Sequence, residues 1–115
     1  MSADPKLRAL PTHQLSINLP VSVAGMPHPL LLLDLSTLGM KLSSPAPLEV
    51  GVTHDFVVDL GILRTVSPSR LTLRGEVRWR SPDTPPDRTL LGVRFESLPP
   101  EVHVAVATII DRLAL

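Results

Sequence analysis

Cysteine is absent from the 115 residues, which excludes disulfides, a thiol nucleophile and thiolate metal sites. Aromatic residues are scarce: Phe56, Trp79 and Phe95 account for the whole 3%. Small barrels that hold single-stranded nucleic acid need stacking aromatics. All three aromatics fall on apolar phases of their segments, so nucleic acid is disfavoured as a partner. Net charge is absent too, because 11 basic residues balance 11 acidic ones, and bulk polyanion binding gains no support. No apolar run approaches the roughly 20 residues needed to cross a bilayer. The opening stretch MSADPKLRALPTH lacks the basic head and apolar core of a signal peptide. These absences together lead us to expect a cytoplasmic protein with no membrane span.

What the chain does have is proline and an ordinary share of apolar residues. A hydrophobic content of 43% suits one folded domain at this length. Nine of the 13 prolines cluster at 27 and 29, 45 and 47, 82 to 86, and 99 to 100. They cut the chain into short segments, which favours strands over long helices. Residues 1–13 are expected to be an irregular lead-in, and 14–115 a single domain. Leu15, Ile17, Leu19, Val21 and Val23 alternate with polar neighbours and Pro20, the period of a half-buried strand. Leu30 to Leu35 is a second strand, buried on both faces or ending in a bend. Met40 to Ser43 and His54 to Leu60 follow. Leu71, Leu73, Val77 and Trp79 alternate with Thr72, Arg74, Glu76, Arg78 and Arg80. This pattern places Trp79 in the core and predicts a bend or bulge at Gly75. Leu91, Val93 and Phe95 make the last strand.

The period then changes. Pro99-Pro100-Glu101 suits a helix start, and Val102, Val106, Ile109, Ile110 and Leu113 line one helical face. The fold class is therefore all-β with one C-terminal helix over 100–113. The architecture is a small six-stranded antiparallel β-barrel with the helix packed on its surface or plugging one end.

Few constellations carry chemistry. Asp34, Ser36 and Gly39 stand at offsets of zero, two and five in LLLDLSTLGMKL. They suit a tight turn, since Asp and Ser bond locally and Gly relieves the backbone. They also suit half of a ligand site. No base accompanies the Asp34–Ser36 pair, and no catalytic triad, phosphate loop or carboxylate pair appears, so catalysis is not expected. His13, His28, His54 and His103 are scattered without metal-ligand spacing. Asp55 and Asp59 belong to a polar face. Arg70, Arg74, Arg78 and Arg80 share one strand phase, with Arg94 on a neighbouring strand. They form either a solvated face with cross-strand ion pairs or a basic patch for an acidic partner.

The chain resembles the PilZ domain family, whose members typically bind cyclic di-GMP. The resemblance rests on Asp34-x-Ser36-x-x-Gly39, on Val77-Arg78-Trp79, on Gly92-Val93-Arg94-Phe95 and on the C-terminal helix. It runs from about residue 15 to 113 in matching order and implies a six-stranded barrel, a bacterial regulator and a role in motility, type IV pili or related behaviour. Receptors of the family also carry Arg-x-x-x-Arg before the first strand. Arginine's planar fork can grip phosphate or the guanine edge. With Leu19-Pro20-Val21 taken as the start of that strand, Leu10 and Gln14 occupy those two positions. Lys6 and Arg8 are the nearest cations, and Arg8 plus four is Thr12. Each hydrogen bond to a charged group contributes about 1.5–3 kcal/mol. Two missing arginines therefore remove roughly 3–6 kcal/mol, or about two to four decades of affinity. The resemblance, minus its clamp, implies a regulator that acts through another protein and binds cyclic di-GMP weakly or not at all. The alternative is a genuine cyclic di-GMP receptor with an atypical site made of Arg8, Asp34, Ser36 and Gly39.

Overall fold

The computed structural model describes residues 12–64, 69–83 and 87–115. Among the described residues, six strands, β1 (His13–Val23), β2 (Leu30–Leu35), β3 (Gly39–Ser44), β4 (Thr53–Asp59), β5 (Arg70–Pro82) and β6 (Thr89–Phe95), precede one helix, α1 (Pro100–Leu113). They close into a barrel in the order β1-β2-β3-β6-β5-β4, every pair antiparallel. Closure leaves no long free edge. The inward phases supply the core: Leu19 and Val21 from β1, Leu32 and Leu35 from β2, Met40 and Leu42 from β3, and Phe56 and Val58 from β4 are buried, as are Leu73, Val77, Leu91 and Val93 from β5 and β6.

The helix begins with proline in its first turn, carries Glu101 there and Arg112 in the last turn, and buries Val106, Ile109 and Leu113. Acid at the start and base at the end both oppose the helix dipole favourably. It packs on β1 and β5. The chain leaving it pairs Ala114 with Leu15, and Leu115 N–H donates to the Gln14 carbonyl at 2.9 Å.

Bulges account for the differences from simple alternation. On β1, Gln14 faces Asp34 and Leu19 faces Leu32, so Leu15 to Asn18 together oppose Leu33 alone. The β1 alternation breaks there, and Ile17, on the apolar phase of the sequence pattern, is exposed rather than buried. Leu33 is also the extra residue against β3, between the pairs Leu32–Leu42 and Asp34–Lys41. Its apolar run therefore ends in a bulge that brings Leu33 and Asp34 both off the core face.

β5 carries a third bulge, and it does not lie at Gly75. Gly75 pairs in register with His54 and Phe95. A Cβ there would lie 2.6 Å from Val93 Cγ1 and 2.9 Å from the Arg94 carbonyl, so the residue answers close packing. The extra residue is Arg78, between the pairs Val77–Val93 and Trp79–Gly92. Beyond it the phase inverts. Trp79, expected in the core, is only half-buried and lies against Gly92 on the outer side of the sheet: a Cβ on Gly92 would meet the indole Nε1 at 1.9 Å. Gly92→Ala is therefore expected to push the indole off β6 at a cost of about 1–3 kcal/mol. Trp79 is the single tryptophan, so a red-shifted emission reports the displacement. In a Trp79→Ala background the same substitution should cost little, and equal costs in both backgrounds would contradict the packing.

Candidate functional site

The Asp34–Gly39 turn divides into a structural part and an outward part. The Ser36 hydroxyl accepts from Leu38 N–H at 3.0 Å and Gly39 N–H at 3.1 Å, and donates to the Gly39 carbonyl at 3.3 Å. Ser36 N–H donates to that same carbonyl at 2.9 Å. Ser36 is 7% exposed, so its hydroxyl is saturated inside the turn. Gly39 has a different reason to be glycine. A Cβ there would sit 2.3 Å from the Val93 carbonyl oxygen, at the β3–β6 pairing of Gly39 with Arg94. Phe95 N–H then ties the turn to β6 through the Leu38 carbonyl at 2.9 Å.

Asp34 is the member that faces outward. Its Oδ2 accepts from Thr12 Oγ1 at 3.1 Å and lies 3.5 Å from Lys41 Nζ. Gln14, Asn18, Leu33, Asp34 and Lys41 line a cleft of about 260 Å³. The β1 and β2 bulges build it, because the Leu15–Asn18 excursion stands over the displaced Leu33 and Asp34. Gln14 stands opposite Asp34 in the β1–β2 register. Arg8 and Leu10 lie outside the described residues. The described lining carries one carboxylate and one ammonium, which pair with each other. Lys41, Thr12 and Asn18 belong to this neighbourhood but carry no motif. Lys41 was legible in principle as the residue facing Asp34 across a two-strand turn.

The arginine stripe is broken up. Arg74 is bound by two acids, with Nη1 3.0 Å from Asp55 Oδ1 and Nε 3.2 Å from Glu96 Oε1. The Asp55 hydrogen bond first, then the charges of Asp55 and Glu96, hold its pKa above the ordinary guanidinium value. Arg70 faces Asp59 across β4–β5 and Arg94 faces Glu76 across β5–β6. Arg78 is the bulge residue, and Arg80 has left the shared outward phase: it pairs with Leu91, an inward position. A solvated face with cross-strand ion pairs describes the Arg74 region. Asp55 and Asp59 serve that face and a turn, since Asp59 Oδ1 accepts from Gly61 N–H at 2.8 Å. Among the described residues no group of acids and histidines is arranged to hold a metal ion, and no helix is long and apolar enough to cross a membrane.

One polar cluster has no local sequence signal. Ser43 Oγ donates to Asp83 Oδ2 at 2.5 Å, while Arg88 Nε donates to Ser43 Oγ at 2.8 Å and Nη2 to the Ser43 carbonyl at 3.0 Å. Asp83 N–H donates to the Arg88 carbonyl at 3.0 Å. The cluster clasps the β5–β6 hairpin onto β3.

Comparisons with known proteins agree with this architecture. The PilZ domain family profile matches residues 8–112. No curated protein matches the chain in sequence. Among solved structures, the Bacillus subtilis inhibitor of motility MotI/DgrA superposes with a TM-score of 0.67 at 11% identity, covering 90% of this chain and 50% of that one. The chain thus spans about half of MotI/DgrA. The PilZ domain of Escherichia coli YcgR with c-di-GMP gives 0.63 at 18% identity, with 90% of each chain covered. The six-stranded barrel, its C-terminal helix and a profile match across nearly the whole sequence place this chain in the PilZ domain family.

Proposed function

We propose that this chain is a non-catalytic bacterial regulator that works in the cytoplasm by contact with another protein, in motility control, and that it binds cyclic di-GMP weakly or not at all. The cleft beside Asp34 carries the proposal. Its described lining has no net charge, because its one cation, Lys41, is paired with Asp34. A dinucleotide with two phosphates would have to break that pair to gain a single ammonium, which lacks the bidentate fork of arginine. Ser36 has no hydroxyl capacity left to offer, since the turn uses it. Motility is supported by the family and by the fold shared with an inhibitor of motility.

Calorimetry on the purified full chain tests this. No saturable heat is expected with micromolar cyclic di-GMP. A stoichiometric micromolar isotherm would overturn the proposal and establish the receptor reading, which the proximity of Asp34 to a cleft at the family motif favours. In that case Asp34→Ala should abolish the heat.

A further inference from the structure

We propose a second recognition site at the barrel mouth formed by β5, β6 and the β3–β4 loop, which takes a carboxylate of an acidic segment on a partner protein between Arg80 and Arg88. It rests on the protein-contact reading above and supplies the chemistry of the contact. Pro47, Arg80, Ser81, Pro82, Arg88 and Thr89 line a cleft of about 330 Å³ there. It lies away from Asp34. In the strand registers Asp34 leads through Lys41 and Gly92 to Trp79, whereas the mouth residues Ser81 and Pro82 face Leu90 and Thr89, nearer the hairpin tip.

Arg80 reaches this cleft only because of the Arg78 bulge. Uninterrupted alternation would keep it beside Arg74 on the outer face. The inserted residue instead sets it opposite Leu91, in the inward phase, at the end of the barrel. The side chain is exposed there, and its Nη1 donates to the Leu48 carbonyl at 3.3 Å. Bulges that re-aim one side chain at the rim of a barrel are over-represented beside functional sites. The second guanidinium is fixed more firmly, since Nε and Nη2 of Arg88 hold Ser43. Both side chains are therefore held by neutral oxygens rather than by acids, and among the described residues neither forms an ion pair with a carboxylate. Arg74 shows the contrast, with two acids on one guanidinium. The acid nearest in the network, Asp83, is bonded to Ser43.

Two positioned guanidiniums without carboxylate partners retain N–H donors for an incoming oxyanion. The proline rings of Pro47 and Pro82 wall the cleft and offer apolar contact to an extended chain. Ser81 and Thr89 add hydroxyls. An acidic side chain carried on an extended peptide matches all three features, whereas a free anion would leave the proline walls without a counterpart.

Nuclear magnetic resonance on the 15N-labelled full chain tests the site, with blocked hexaglutamate as probe and blocked hexaglutamine and inorganic phosphate as comparisons at low salt. Hexaglutamate is expected to shift Arg80, Ser81, Arg88 and Thr89 saturably, with hexaglutamine and phosphate silent. Arg80→Gln should weaken the apparent affinity about tenfold or more with an unchanged melting temperature. Arg80 is the position to vary because Arg88 also clasps the hairpin. Shifts centred on Arg70 and Arg94, unchanged affinity in Arg80→Gln, or saturation by phosphate with the peptide silent would each overturn the site. Failure of the underlying protein-contact reading shows separately, as a micromolar cyclic di-GMP isotherm that Arg80→Gln leaves intact.

Discussion

Installing both missing arginines, Leu10→Arg with Gln14→Arg, is expected to raise cyclic di-GMP affinity by about two to four decades over the natural chain. Gln14 lines the same cleft as Asp34 and faces it across β1–β2. A guanidinium there therefore arrives where the ligand would meet the turn. The single Gln14→Arg change should recover roughly half of the free energy if the two forks act independently. One cost opposes the gain: Asp34 can bind the new guanidinium and compete with the ligand, as Asp55 and Glu96 do on Arg74. Calorimetry with wild type, each single variant and the double variant checks the result. A double variant as silent as wild type would show that something other than the clamp prevents binding, and the absent arginines would no longer explain the chain's function.

The barrel and helix were legible because period and punctuation agreed. Pro99-Pro100-Glu101 and the 102–113 spacing place α1 where it lies. The β4 phase of His54, Phe56 and Val58, and the inward phase of Leu91, Val93 and Phe95, also follow alternation. Bulges were not legible in this way. A residue inserted at Arg78 leaves no gap in the sequence pattern, so Val77-Arg78-Trp79 still looks alternating while Trp79 and Arg80 have exchanged faces. Gly75 drew the bulge prediction because glycine often marks one, yet its absent side chain serves close contact with Val93. Gly92 held the better clue, as a glycine opposite an indole. The Ser43–Asp83–Arg88 clasp was hidden for another reason: its partners lie 40 and 45 residues apart, and no local pattern reports such pairs. In the candidate site, the motif residues were legible but the division of labour between them was not. Ser36 and Asp34 look equally free to bind a ligand until the turn's own hydrogen bonds are drawn.

That division predicts opposite responses within one motif. Gly39→Ala is expected to destabilise the barrel by about 3 kcal/mol, whereas Asp34→Ala should cost within about 1 kcal/mol. The Gly39 Cβ would meet a backbone carbonyl at 2.3 Å, and a carbonyl inside the β3–β6 ladder cannot swing aside as a side chain can. Relief requires β3 to move away from β6, which strains the pairs from Gly39–Arg94 to Ser44–Thr89. Asp34 loses only a 3.5 Å contact to a Lys41 ammonium at the surface and one hydroxyl donor from Thr12. Ser36→Ala falls between, at about 1–3 kcal/mol, because the amides of Leu38 and Gly39 lose their acceptor. Against a total stability of about 5–15 kcal/mol for a domain of this kind, the Gly39 change alone should lower the melting temperature by roughly 10 °C. Urea denaturation of the three variants measures the order Gly39, Ser36, Asp34. If Asp34→Ala proved the most destabilising, the outward acid would be holding the fold together, and the cleft beside it could no longer be read as a surface left open for binding.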